Sequence, residues 1–342
     1  MAQREVAVDA LKGLAIACVV LGRSVLRNVA GHSDNWVYLL VSSFEMPLFM
    51  FLSGYVLAGR IRGPRGRWIW RRAVRLMVPF VAWQAIFFLT RQTSLEAWTS
   101  GLGDTIVGAL ASAAHFVLEP TGGLWYLPAL LISSALLALL YPLASRRFGP
   151  LLVLLIGAAL LELLGQARGA FGVQADFGLL KVLTLWPVFA AGFAWGEWGR
   201  TLDPGEPRAR WLLAGAFPFV AVPAMRALPG VGAYEARAIK VAVGLAGTAA
   251  AAVLLRAVEP VVRRIRLDRL GRLTMGIYCS HWLFLRVEFT DGALGAGLAF
   301  AYTLAGATVL TLAIRRVPLL AGVLLGEWAP KVRAAGVDPT AS

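Results

Sequence analysis

The chain has 342 residues, 58% of them hydrophobic and 15% charged, with a mean hydropathy of +0.70. Soluble domains carry nearer a quarter charged residues, so composition excludes a water-soluble enzyme and predicts an all-α, polytopic integral membrane protein. The net charge of +14 does not signal nucleic acid, because the basic residues form short clusters between apolar runs, as in cytoplasmic loops facing anionic lipid.

Runs able to cross a bilayer are expected at 10–29, 36–57, 74–90, 124–143, 149–165, 179–198, 211–225, 238–258, 273–290 and 294–314. The first lacks a small-residue cleavage site and reads as a retained span. Within it ten uncharged residues separate Lys12 from Arg23, which puts an arginine halfway along a helix suited to lipid. Asp9 and Arg4 read as a cap-and-charge pair at its start. Span two carries Glu45, with Pro47 and Gly54 placed to kink or thin it. Seven arginines follow between Arg60 and Arg75, and Arg72 and Arg75 share one helical face.

The connection from Arg91 to Gly123 is more acidic, and DTIVGALASAAHFVLEP within it is expected as a short helix on the outer surface. Trp125 and Tyr126 open span four at the outer interface, where aromatic belts lie; sugar stacking is the alternative. Span nine holds Tyr278, read as packing or substrate contact, and His281, which is either a packed residue or a titrating one. His32 and His115 fall in outer connections. Residues 1–329 form one transmembrane domain, and the tail 330–342 is expected to be disordered.

Cys18 and Cys279 lie inside apolar spans, so no disulfide framework is expected. Zinc-type spacings, phosphate-binding glycine loops and nucleic-acid motifs are missing, and no metal is expected. With the N-terminus in the cytoplasm, 24 of the 33 Lys and Arg residues fall on inner segments. Ten helices with both termini cytoplasmic therefore satisfy the positive-inside rule. Of the basic residues 29 are Arg, which fits a GC-rich bacterial genome and an inner-membrane location.

Three ionisable groups share one depth. At 1.5 Å per residue, Arg23 lies about 18 Å from the inner edge and Glu45 roughly 13 Å from the outer edge, and His281 falls near the middle of span nine. A lone Arg at the centre of a bilayer costs about 2.5–3.5 kcal/mol on insertion scales, so Arg23 and Glu45 are expected to pair across the first hairpin. Whether that pair only locks the helices or also activates substrate stays open.

Five stretches carry a resemblance: REVAVDALKG from Arg4, FEMPLFMFLSGY from Phe44, RRAVRLMVP from Arg71, LWYLP from Leu124 and LGRLTMGIYCSH from Leu270. In this order and spacing the chain resembles the acyltransferase-3 family, especially its fucose O-acetylase-like branch, over nearly its whole length. The resemblance implies a membrane enzyme that moves an acyl group, acetyl above all, from cytoplasmic acyl-CoA to a hydroxyl of a cell-envelope glycan or glycolipid.

It also implies that Arg72 and Arg75, with Lys12 as a third cation, hold the donor phosphates; membrane anchoring is the alternative for the arginines. The family motif of a basic residue, ten residues and histidine reads here as Lys12 and Arg23, and its FHMPLF reads with Glu45. Arginine stays protonated and cannot be a general base. Arg23 would then stabilise negative charge while His281 or Glu45 handles the proton. The alternative function is an inactive relative that binds or moves a lipid-linked sugar or serves in an envelope-synthesis complex.

Overall fold

The computed structural model describes residues 2–61, 64–91, 124–144, 149–170, 179–197, 207–257, 264, 266–287 and 289–328. The expected outer-surface helix at 104–120, His115, the tail from Pro330 and the side chain of Arg4 lie outside these residues. Every expected span corresponds to a helix. These are α1 (Ala2–Asn28), α2 (Trp36–Leu57), α3 (Arg65–Arg91), α4 (Tyr126–Ala144), α5 (Gly149–Ala170) and α6 (Leu179–Glu197). They continue with α7 (Pro207–Ala227), α8 (Ala233–Ala257), α9 (Leu267–Arg272), α10 (Thr274–Phe284), α11 (Ala293–Arg315) and α12 (Pro318–Leu325). No strand occurs among the described residues.

By length and composition, five described helices can cross a membrane: Trp36–Leu57, Tyr126–Leu143, Leu179–Glu197, Glu235–Leu254 and Ala293–Arg315. The protein is thus an all-α polytopic membrane protein. In the ninth expected span, 273–290, the helix is shorter than expected, although the chain runs beside α1 from Gly271, which meets the Asp9 backbone, to Gly292, whose N–H donates to the Asn28 carbonyl at 2.7 Å. Leu273 breaks the helix between α9 and α10, and α10 ends at Phe284 after 11 residues. Just past its end Arg286 donates to the Thr90 carbonyl of α3 at 3.1 Å. The helix α12 was not expected at all.

Asn35 caps α2 by accepting from the backbone N–H of Val37 at 3.0 Å and of Tyr38 at 3.2 Å, as short polar side chains do at helix starts. From there α2 runs through the centre of the bundle, packed by α1, α6, α7 and α8. Glycines let the backbones touch, the usual means of tight helix association in lipid. A Cβ on Gly54 would stand 2.0 Å from the Phe189 carbonyl oxygen, and one on Gly192 2.0 Å from that of Phe51. On the other flank α1 packs on α9 and α11, and α12 lies on α3, where Trp83 Nε1 donates to the Leu324 carbonyl at 2.9 Å. Asp9 does not cap α1; it lies inside that helix, 3.2 Å from Lys12 Nζ.

Candidate functional site: a basic cavity and a buried polar cluster

A cavity of about 790 Å³ opens between α1, α2, α3, α4 and the α9–α12 segment, within the size range of small-molecule sites. The face of α3 that lines it carries Trp68, Arg71, Arg72 and Arg75, a stripe at i, i+3, i+4 and i+7. That period is the signal that would have found Trp68 and Arg71 in the sequence. Arg60, Arg272 and Arg315 converge from other elements and share no periodicity with the stripe.

Seven cations therefore face one space with Lys12 included. Three have carboxylate partners: Lys12 with Asp9, Arg272 with Asp268 at 2.5 Å, and Arg315 with Glu327 at 2.5 Å. Arg60, Arg71, Arg72 and Arg75 have none among the described residues. The Arg72 Nε is also buried without a hydrogen-bond partner. Four guanidinium groups without a carboxylate partner among the described residues repel one another in one cavity, and a polyanion relieves that repulsion. Guanidinium forks match phosphate in particular.

The far wall of the cavity is aromatic. Tyr126 opens α4 in the interior of the bundle, with Leu124, Leu127 and Ala129 also buried, and is itself only 9% exposed. This corrects the expectation of an outer aromatic belt for Tyr126, because the first turn of α4 starts inside the protein. Its hydroxyl donates to the Phe49 carbonyl at 3.2 Å and lies 2.9 Å from Ser53 Oγ. Its backbone N–H donates to the Tyr278 hydroxyl at 3.2 Å, and the two rings meet edge to face at 5.6 Å. Trp125 is half-buried next to it, with Lys181 Nζ 5.7 Å from its ring centre.

Behind Tyr278 lies a second polar group. His281 is 1% exposed, its ring 5.9 Å from that of Tyr278, and its Nδ1 is 2.7 Å from the Tyr278 carbonyl oxygen. A carbonyl only accepts, so Nδ1 carries the hydrogen, and in the neutral ring Nε2 holds the lone pair. That Nε2 is buried without a partner. Arg23 extends from α1 to within 5.8 Å of the Trp282 ring centre, a cation–π distance. The same Trp282 ring lies 5.5 Å from that of His281.

The expected ion pair between Arg23 and Glu45 is not formed. Arg23 turns toward Trp282, and Glu45 Oε2 is buried without a hydrogen-bond partner. The carboxylate faces Gly22 instead, where a Cβ would stand 3.3 Å from Oε2. Breaking a buried ion pair typically costs about 3–5 kcal/mol; with no direct pair to break, Glu45→Gln is expected to keep or raise the melting temperature. A drop of the size of a broken pair in thermal unfolding would contradict this geometry.

Lys12, Arg72, Arg75, Tyr126 and Tyr278 thus share the cavity, whereas Arg23, Glu45 and His281 form the cluster behind its aromatic wall. Trp125 borders the wall from α4's entry. Arg60, Arg71, Arg272, Arg315 and Trp68 are cavity residues that sequence reading missed.

Comparison with known proteins gives a family. A family model described as an acyltransferase domain matches residues 5–315. Nodulation protein NolL of Sinorhizobium fredii is 31% identical over 135 residues, 38% of this chain and 35% of that protein. Nodulation protein NolL of Mesorhizobium japonicum is 27% identical over 142 residues, 40% of this chain and 36% of that protein. The chain thus aligns with about a third of the length of these curated relatives. No solved structure matches it.

Proposed function

Because the chain belongs to the acyltransferase-3 family, matched from residue 5 to 315, we propose that it transfers an acyl group, acetyl in the first instance, from acyl-CoA to a hydroxyl of a cell-envelope glycan or glycolipid. The observation that carries this is the cavity in which Arg60, Arg71, Arg72 and Arg75 lack carboxylate partners among the described residues and which ends at Tyr126 and Tyr278. Arg72 and Arg75 hold the donor phosphates, assisted by Lys12. The acyl thioester then reaches toward Tyr278, whose carbonyl orients His281.

In the transfer, His281 Nε2 takes the proton of the acceptor hydroxyl as its oxygen bonds to the acyl carbon. Arg23 stabilises the negative charge that develops on the acyl oxygen. The carbon–sulfur bond breaks, and the CoA thiolate takes the proton back from His281. Arg23 stands where the family motif has a histidine, so the proton falls to His281 on this scheme. Trp125, Tyr126 and Tyr278 contribute contact surface for the substrates, and Glu45 is the second group able to take the proton. The basic face is cytoplasmic in a bacterial inner membrane, as the inward bias of the arginines predicts.

The test uses purified protein in lipid with labelled acetyl-CoA and envelope glycolipid as acceptor. Label should pass to the acceptor. In the variant Arg72→Ala/Arg75→Ala, donor affinity should fall about a hundredfold, since each charged hydrogen bond contributes about 1.5–3 kcal/mol. Elution and thermal unfolding should stay normal. Unchanged donor affinity in a folded double variant would reduce the two arginines to membrane anchors.

A further inference from the structure

We propose that a shelf beside the basic cavity binds the adenosine 3′-phosphate end of the donor, with the purine stacked on Trp70 and Trp328. This rests on the acyl-CoA reading above and assigns two residues that no motif singled out. The shelf, about 710 Å³, is lined by Trp70, Arg71, Arg75, Glu327 and Trp328 among others, and Arg71, Arg75 and Glu327 border the main cavity as well. The two spaces therefore meet at a pair of arginines. A CoA molecule has matching order: pantetheine on one side of its diphosphate, a phosphorylated nucleoside on the other. With the diphosphate at Arg72 and Arg75 and the pantetheine arm directed to Tyr278, the nucleoside emerges at the shelf.

The chemistry there suits a purine. Trp70 is 70% exposed and Trp328 48% exposed, so two flat aromatic surfaces stand open beside cationic groups. Aromatic faces stack on bases, and a neighbouring guanidinium takes the ribose phosphate. Trp328 is also held in place. Gly326 turns the chain at φ 66°, with its N–H on the Gly322 carbonyl at 3.0 Å, the αL form of helix end, and the Glu327 N–H reaches the Ala321 carbonyl at 3.0 Å. The Trp328 ring lies on Gly322, where a Cβ would come within 2.8 Å of it, and Gly326 lies against the Arg75 backbone. Glu327 is tied to Arg315. The turn after α12 thereby builds one wall of the shelf and joins it to α3.

The experiment measures binding to the full chain in lipid nanodiscs with three probes: CoA, adenosine 3′,5′-bisphosphate as the nucleotide end, and 4′-phosphopantetheine as the other end. In the wild type the bisphosphate should compete with CoA. Trp70→Ala/Trp328→Ala should weaken CoA and the bisphosphate by about tenfold or more, the range of one lost base–aromatic stack. Its affinity for 4′-phosphopantetheine should not change, and Trp70→Phe/Trp328→Phe should restore most of the loss. A bisphosphate that does not compete in the wild type overturns the shelf even if no variant folds. So does equal loss for both ends of the molecule. CoA binding that needs Arg72 and Arg75 but not the tryptophans leaves the donor reading standing, removes the shelf, and makes the tryptophans lipid anchors. A wild type that binds no CoA overturns both.

Discussion

In the variant His281→Asn, acyl transfer is expected to fall about 10²–10⁴-fold, the usual contribution of a positioned general base, while donor affinity stays at the wild-type level. Asparagine is chosen because its amide N–H can still donate to the Tyr278 carbonyl that His281 Nδ1 now faces at 2.7 Å. It offers no lone pair where Nε2 stands, so the local fold is kept and the base is removed. The loss should appear in kcat with KM for acyl-CoA unchanged, because His281 lies behind Tyr278 and does not line the donor cavity. His281→Ala should lose activity to the same extent and stability besides, since the Tyr278 carbonyl then loses its side-chain donor. A folded Asn variant that transfers within a few-fold of the wild type assigns His281 to packing and moves the proton to Glu45.

The largest effect on folding is expected where α2 meets α6. Gly54→Leu or Gly192→Leu should cost more than about 3 kcal/mol, beyond the typical range for overpacking. The reason is that the added carbon would meet backbone atoms, the Phe189 carbonyl in one case and the Phe51 carbonyl in the other, each at 2.0 Å. A side chain can rotate away from a clash, but two helix backbones can only separate. Separating them opens the packing around Phe189 and Phe193, both fully buried. The contrast is Gly297 on α11, where an added Cβ meets nothing within 4 Å. Gly297→Ala should be neutral or stabilising by up to about 1 kcal/mol, the helix-propensity gain of Ala over Gly. Thermal unfolding in detergent compares the two sites directly. If the Leu variants at 54 and 192 melt with the wild type, the close backbone approach is wrong.

The apolar runs by themselves located a helix at each of the ten expected spans, because a chain in lipid must satisfy its backbone internally and helices do so locally. The spacing of Arg72 and Arg75 put them on one face of α3, and both line the same cavity. Run length and phase along a single helix are one-dimensional properties.

What needed the tertiary structure was each helix's rotation and each contact between helices remote in sequence. Arg23 and Glu45 do not pair, because Arg23 rotates toward Trp282 on α10, a partner over two hundred residues away that no periodicity links to it. Tyr126 has the sequence context of a belt residue, but α4 begins inside the bundle and turns it onto Tyr278. Arg60, Arg272 and Arg315 look like ordinary inner-loop charges; only the packing of α2, α9 and α11 around α1 and α3 brings them to one cavity. The end of α10 at Phe284 was hidden because apolar residues continue past it in composition, and the contact of Arg286 with α3 just beyond it joins residues remote in sequence. Sequence thus determined the helices and the polar residues they carry, and tertiary packing alone decided which of those residues face one another.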